Sequence, residues 1–271
     1  MNAIHWVTCL VGLAVVLSSL ELLSLRREYL PGGFYYCDRE LARLTPPRAF
    51  LPGVWTVASL YPVFYAIIGL RMLLGALLLV DAPTGWGKPA VLFATVAISL
   101  FIGSRLEFGM SAADTMSGVV LTGLGIAALA PSSALAQQSA VWFLALQTTF
   151  AYTAAGVTKL YIPAWRDGTY LATALGSGTY GHPLAARLMG HRAIALAASW
   201  TVIVWECSFP LALLLGAPGA IVYCAIAALF HASIGLFMGL KMFVFVFGST
   251  YPAIIACAIQ VHQLTGIWPA K

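Results

Sequence analysis

Charge is what this chain most lacks. Only 8% of its 271 residues are Asp, Glu, Lys or Arg, against 61% hydrophobic residues, and the mean hydropathy is +0.91. A soluble domain of this length needs far more polar surface, so that class is excluded. There is also no long polar stretch from which a separate soluble domain could be built. The five cysteines (Cys9, Cys37, Cys207, Cys224 and Cys257) include no CxxC pair. That argues against a thiol–disulfide oxidoreductase and against a zinc site. No GxGxxG or Walker-type phosphate loop is present, and no patch interleaves basic with aromatic residues. Nucleic acid is therefore not an expected partner. The first residues, MNAIHWVTCLVGLAVVLSSLELL, have no basic n-region and no small-x-small cleavage site, so they read as a retained helix.

What the chain has is apolar runs of membrane-spanning length. Hydropathy places eight candidate spans at roughly 4–24, 59–80, 88–104, 114–132, 139–160, 194–216, 218–239 and 242–262. The third is short. The expected fold is an all-α polytopic bundle of about eight transmembrane helices, forming one integral-membrane domain over 1–271. Arg26, Arg27, Arg39, Arg43 and Arg48 follow the first span. Arg105 follows the third, Arg166, Arg187 and Arg192 the fifth, and Lys241 the seventh. With eight helices all of these lie on one face, opposite Lys88 and Lys271. By the positive-inside rule the basic loops face the cytoplasm and both termini face away from it. The net charge of +5 is thus accounted for by topology. The expected location is a bacterial inner or plasma membrane.

Two connections do more than link spans. In the first, RELARL can form a surface helical turn. In the second, from Tyr161 to Arg192, Asp167 is placed to cap a helix over Thr169–Leu175, Gly176, Gly178 and Gly181 to break it, and Pro183 to start another. Short interfacial helices are expected there.

Few ionisable groups fall inside apolar segments, and each needs a reason. A lone charge at a bilayer centre costs about 2.5–3.5 kcal/mol on insertion scales. Arg71 lies mid-span in IIGLRMLLGALLL, Glu206 in VIVWECSFPLALLL and His231 in AALFHASIGLFMGL, while Asp114 opens the fourth span. Arg71, Glu206 and His231 should face the bundle interior or a water-filled cavity. Arg71 can pair with Glu206 or Asp114 as an internal staple, and His231 can be a site residue or simply bonded to a neighbouring helix. Lys159 ends the fifth span in AGVTKLYIPAWRDG. Burial disfavours the charged form of a lysine and makes the amine a usable base. Alternatively, the side chain snorkels and anchors a helix end. Tyr152 lies seven residues earlier and shares the Lys159 face. Tyr161 and Trp165 suit an interfacial belt.

The run AGVTKL with Trp165 and Gly168 resembles the corresponding stretch of vitamin K-dependent γ-glutamyl carboxylases. There, Ala-Gly-Val-Lys-Lys-Leu is followed by a tryptophan and a glycine. It also resembles the wider HTTM group of bacterial membrane proteins that share the carboxylase helical domain. Arg71 in GLRMLLGALLL, Glu206 in ECSFP and His231 in FHASIGLFMGL are similar to further helices of that group, so the resemblance covers roughly 60–245. In the carboxylases the second lysine of the run deprotonates vitamin K hydroquinone, and it corresponds here to Lys159. Thr158 replaces the first, and SRLEFGMSAADTMS, around Asp114, holds no histidine that would correspond to the carboxylases' catalytic one.

The resemblance implies a membrane enzyme with Lys159 as base, acting on a quinol-like or other lipophilic substrate or on a small peptide. A quinone or quinol is then the implied cofactor, and membrane lipid the surrounding partner. Tyr152, Trp165, Arg71, Asp114, Glu206 and His231 would line its cavity. Two other readings stay open: a non-catalytic membrane protein for maturation of, or immunity to, an exported peptide, and a transporter.

Overall fold

The computed structural model describes residues 3–38, 51–105, 110–178 and 181–265. The surface turn expected for RELARL lies outside them. The fold is all-α, a polytopic bundle. Among the described residues, five helices are long and apolar enough to cross a membrane, and up to seven if each of two bent pairs makes one span. The chain divides into two compact units, Ile4–Gln137 and a second beginning at Gln138.

The first unit starts with α1 (Ala3–Ser24). After it come α2 (Pro52–Ser59), α3 (Val63–Leu79), α4 (Gly87–Arg105) and α5 (Ala112–Ala128). α2 and α3 meet at 86° across Leu60–Pro62, where proline has no N–H with which to continue a helix. Gly12 and Gly75 let α1 and α3 touch backbone to backbone, since a Cβ on Gly12 would lie 2.8 Å from the Gly75 carbonyl oxygen. α4 packs against both α3 and α5. Tyr29, Trp55, Phe64, Ile68, Phe101 and Ile102 form an aromatic core at one end. The expected short third span is a full 19-residue helix. The fourth is the shorter one, ending at Ala128 after 17 residues, just ahead of the Pro131 turn.

The second unit is built on α6 (Ala134–Tyr161), 28 residues long. Three short helices follow: α7 (Pro163–Arg166), α8 (Thr169–Gly176) and α9 (Pro183–Met189). Then come α10 (Arg192–Cys207), α11 (Leu211–Leu214), α12 (Gly216–Met238), α13 (Met242–Gly248) and α14 (Tyr251–Thr265). The sixth expected span stops at Cys207 rather than reaching 216, because Ser208–Pro210 breaks the helix before the single turn of α11. α12 ends at Gly239 in the left-handed conformation, φ 76°, which glycine adopts without a Cβ clash.

Asp167 is not the N-cap of α8. Gly168 is, at φ 80°. Asp167 stands one residue further out and accepts from the Thr169 N–H at 2.9 Å and the Thr169 hydroxyl at 2.6 Å. The carboxylate still serves the helix start. A glycine is needed between because a Cβ at 168 would sit 2.7 Å from the Leu196 nitrogen of α10. Pro183 does begin α9.

Large apolar side chains line the outside of both units. Phe150, Leu229 and Leu236 are about two-thirds exposed or more, as side chains solvated by lipid must be.

Candidate functional site

Four of the seven candidate residues fall on one arrangement of helices in the second unit, and Trp165 joins them from the adjoining short helix. The Lys159 Nζ donates to both oxygens of the Glu206 carboxylate, at 2.9 Å and 2.7 Å. Glu206 is 2% exposed as a residue. The Trp165 ring lies below the same ammonium, 5.2 Å from Nζ to centroid, within cation–π range. Trp165 is held in turn by stacking on Tyr170 at 4.6 Å. Lys159 is therefore neither a lone amine nor an anchor aimed at headgroups, because its charge is used inside the fold. A buried pair of this kind holds only when both members stay and the remaining lone pairs are served.

The glycines of the AGVTKL…WRDG run explain how the pair can form. A Cβ on Gly156 would lie 2.6 Å from the Cys207 nitrogen and 2.8 Å from the Glu206 Cβ. α6 and α10 thus approach at backbone distance just where Glu206 reaches Lys159. Gly168 makes the second close approach, against Ala195 and Leu196 at the start of α10. The Trp200 indole N–H donates to the Arg166 carbonyl at 3.0 Å between them. Thr158 is exposed and bonds back to the Ala154 carbonyl at 2.8 Å.

Two helical turns before Lys159, about 10 Å along the axis, Tyr152 begins a second polar group. Its hydroxyl is hydrogen-bonded to His231 Nε2 at 2.7 Å and to the Tyr251 hydroxyl at 3.2 Å. Tyr152 stacks on Phe209 at 4.1 Å and meets Trp205 edge-on at 5.2 Å. Phe247 covers His231 at 4.7 Å. His231 Nδ1 is buried without a hydrogen-bond partner among the described residues. The three polar side chains thus form a short hydrogen-bonded chain in an aromatic enclosure, one end of which still has bonding capacity. Tyr251 has no distinguishing mark in the sequence. It is a tyrosine in an apolar run, and only the packing of α14 against α12 brings it to Tyr152.

Arg71 and Asp114 belong to the first unit and have other duties. Arg71 is 5% exposed, as an intramembrane charge should be. It donates to Ser99 and Ser18 at 2.9 Å and to Ser19 at 3.2 Å. The expected carboxylate staple does not form: Glu206 is held by Lys159, and Asp114 is used in a helix cap. The Asp114 carboxylate accepts from the Ser111 N–H at 3.0 Å, and the Asp114 N–H donates to the Ser111 hydroxyl at 3.1 Å. This reciprocal box starts α5. Serine hydroxyls can take the place of a carboxylate because each is both donor and acceptor. Ser18, Ser19 and Ser99 give their protons to carbonyls of their own helices and turn their lone pairs to the guanidinium.

Comparison with protein-family models, with curated proteins and with solved structures gave no match.

Proposed function

We propose that the chain is an integral membrane enzyme of the carboxylase-like HTTM type, and that Lys159, switched by Glu206, is its base. The observation that carries this is the bidentate contact between Lys159 Nζ and the buried Glu206 carboxylate. Moving one proton across that 2.7 Å contact turns an ammonium–carboxylate pair into an amine and a carboxylic acid. The amine then has a free lone pair in a site with few competing polar groups. A quinol-like hydroxyl or another weakly acidic lipophilic group is the substrate chemistry such a base suits. Trp165 supplies a flat apolar wall beside the amine. The hydrogen-bonded chain Tyr251–Tyr152–His231, centred on Tyr152 two turns earlier on α6, can accept or return a proton. On this reading the enzyme sits in a bacterial inner membrane with both termini outside the cytoplasm.

The test uses the full chain purified in detergent. Binding of a short-chain menaquinol or vitamin K hydroquinone is followed by fluorescence quenching of Trp165, with Trp165→Phe as control, and ionisation of the bound quinol by its ultraviolet absorbance. Wild type should bind and shift the quinol towards the quinolate spectrum, the proton staying on the Lys159–Glu206 pair. Lys159→Arg should bind without that shift, because a guanidinium is not deprotonated in this range. A shift that is unchanged in Lys159→Arg removes Lys159 as the base.

A second reading, a non-catalytic protein for maturation of or immunity to an exported peptide, is favoured by one feature. Lys159 and Glu206 satisfy each other, as a purely structural pair would. Failure to bind any quinol, together with full biological function of a Lys159→Met/Glu206→Leu double variant, would select it.

A further inference from the structure

We propose that Cys9, His5 and Asp81 form a thiol nucleophile site in the first unit, and that its electrophile is the ester carbonyl of a membrane lipid. His5 and Cys9 are one turn apart on α1 and share a face. His5 Nε2 meets the Cys9 Sγ at 3.8 Å. The other ring nitrogen, Nδ1, meets Asp81 Oδ2 at 2.7 Å. The order is nucleophile, base and orienting carboxylate, with the imidazole using its two nitrogens in opposite directions, the arrangement by which a weak nucleophile is activated. The second Asp81 oxygen accepts from Lys88 Nζ at 2.7 Å, so the carboxylate is held from both sides. Asp81 is the one non-glycine residue with positive φ, 47°, among the described residues. A residue held in that region signals that the surrounding structure over-determines its position. Cys9 is a free, half-buried thiol and His5 is exposed.

Depth in the membrane points to the substrate class. Cys9 lies six residues into α1, about 9 Å from its start. Asp81, Lys88 and the 79%-exposed Trp86 lie on or next to the α3–α4 connection, the polar and aromatic mixture found at a membrane–water boundary. The thiol therefore sits just below that boundary, at the level of glycerolipid ester groups.

The step balances without a redox partner. His5 Nε2 takes the thiol proton while Sγ attacks the ester carbonyl carbon. The S–C bond forms and the C–O bond breaks. The proton on His5 passes to the departing alcohol oxygen. The products are an acyl thioester on Cys9 and a lysolipid. Asp81 is a positioning residue in this scheme.

The experiment uses the full chain in detergent micelles with p-nitrophenyl laurate as probe. Nitrophenolate release is followed with time, and peptide mass spectrometry locates the acyl group. One hydroxylamine-labile laurate on the Cys9 peptide is expected, and none in Cys9→Ala. His5→Gln should slow acylation of Cys9 on the order of 100-fold at neutral pH and converge with wild type in alkali, where thiols ionise unaided. Asp81→Asn should fall between. A His5→Gln variant as fast as wild type at neutral pH overturns the proposal, as does laurate carried equally by Cys9→Ala. Should His5→Gln fail to fold, Cys207 in the wild-type protein is the reference, being the other half-buried thiol. Cys9 reacting no faster than Cys207 also overturns it.

Discussion

Gly156 on α6 touches the backbone of α10 at Glu206, with only 2.8 Å between an added Cβ and the Glu206 Cβ. Three residues later on the same helix, Lys159 closes on the Glu206 carboxylate. The glycine sets the helix separation and the separation lets the ion pair form. Gly156→Ala is expected to destabilise the second unit by about 1–3 kcal/mol, because the obstacle is backbone and cannot swing aside. Thermal unfolding in detergent measures this. A variant as stable as wild type would show that α6 and α10 tolerate a wider spacing.

The Lys159–Glu206 pair predicts non-additive behaviour. Glu206→Gln or Lys159→Met alone should cost about 3–5 kcal/mol, since each leaves one charge buried without its partner. The double variant Lys159→Met/Glu206→Leu should recover most of that loss. A double-mutant cycle on unfolding free energies checks it, and additive losses would mean the two side chains act independently.

Arg71 predicts an inverted substitution order. Arg71→Lys keeps the charge but cannot span three hydroxyls on separate positions, so it should cost about 2–3 kcal/mol. Arg71→Met removes the charge, and Ser18, Ser19 and Ser99 keep their bonds to their own helices. Its cost should be smaller, about 1 kcal/mol. Folded yield and melting temperature of the two variants give the comparison, and a more stable lysine variant would contradict it.

Asp81 predicts an acid limb of stability. Burial raises its carboxyl, but hydrogen bonds from Lys88 and His5 outweigh burial and hold it below the ordinary aspartate range. A carboxylate lowered in the folded state stabilises that state above its unfolded value, and the contribution is lost as pH falls through the folded value. Asp81→Asn should therefore flatten the stability–pH curve on its acid side and leave the neutral-to-alkaline part parallel to wild type. Melting temperatures across that range measure it, and an unchanged acid slope would refute the assignment.

Topology predicts a labelling pattern. Single cysteines placed at the two termini should react with an impermeant maleimide from outside the cell, and one at position 43 only after permeabilisation. Termini and position 43 labelling from the same side would rule out the orientation inferred from the basic loops.

The sequence by itself determined the class of this protein and which of its polar residues had to turn inward. Apolar runs of bilayer length admit only helices, since every backbone group must be bonded within its own segment. Arg71, Glu206 and His231 had to be buried because a lone charge or imidazole facing lipid is costly. The sequence also placed Lys159 and Tyr152 on one face, because helical periodicity alone requires it. Partner choice was decided by tertiary structure. Arg71 found three serines instead of a carboxylate, Glu206 found Lys159, and Tyr251 came to Tyr152 from a segment without any mark. The same packing set His5 between Cys9, its neighbour on the helix, and Asp81, 76 positions away. Such pairings depend on the rotation and crossing point of each helix to within about an ångström. Those are set by where two surfaces can close, here at Gly12, Gly75, Gly156 and Gly168. Hydropathy measures how apolar a segment is, and carries no information on which of its sides meets which neighbour.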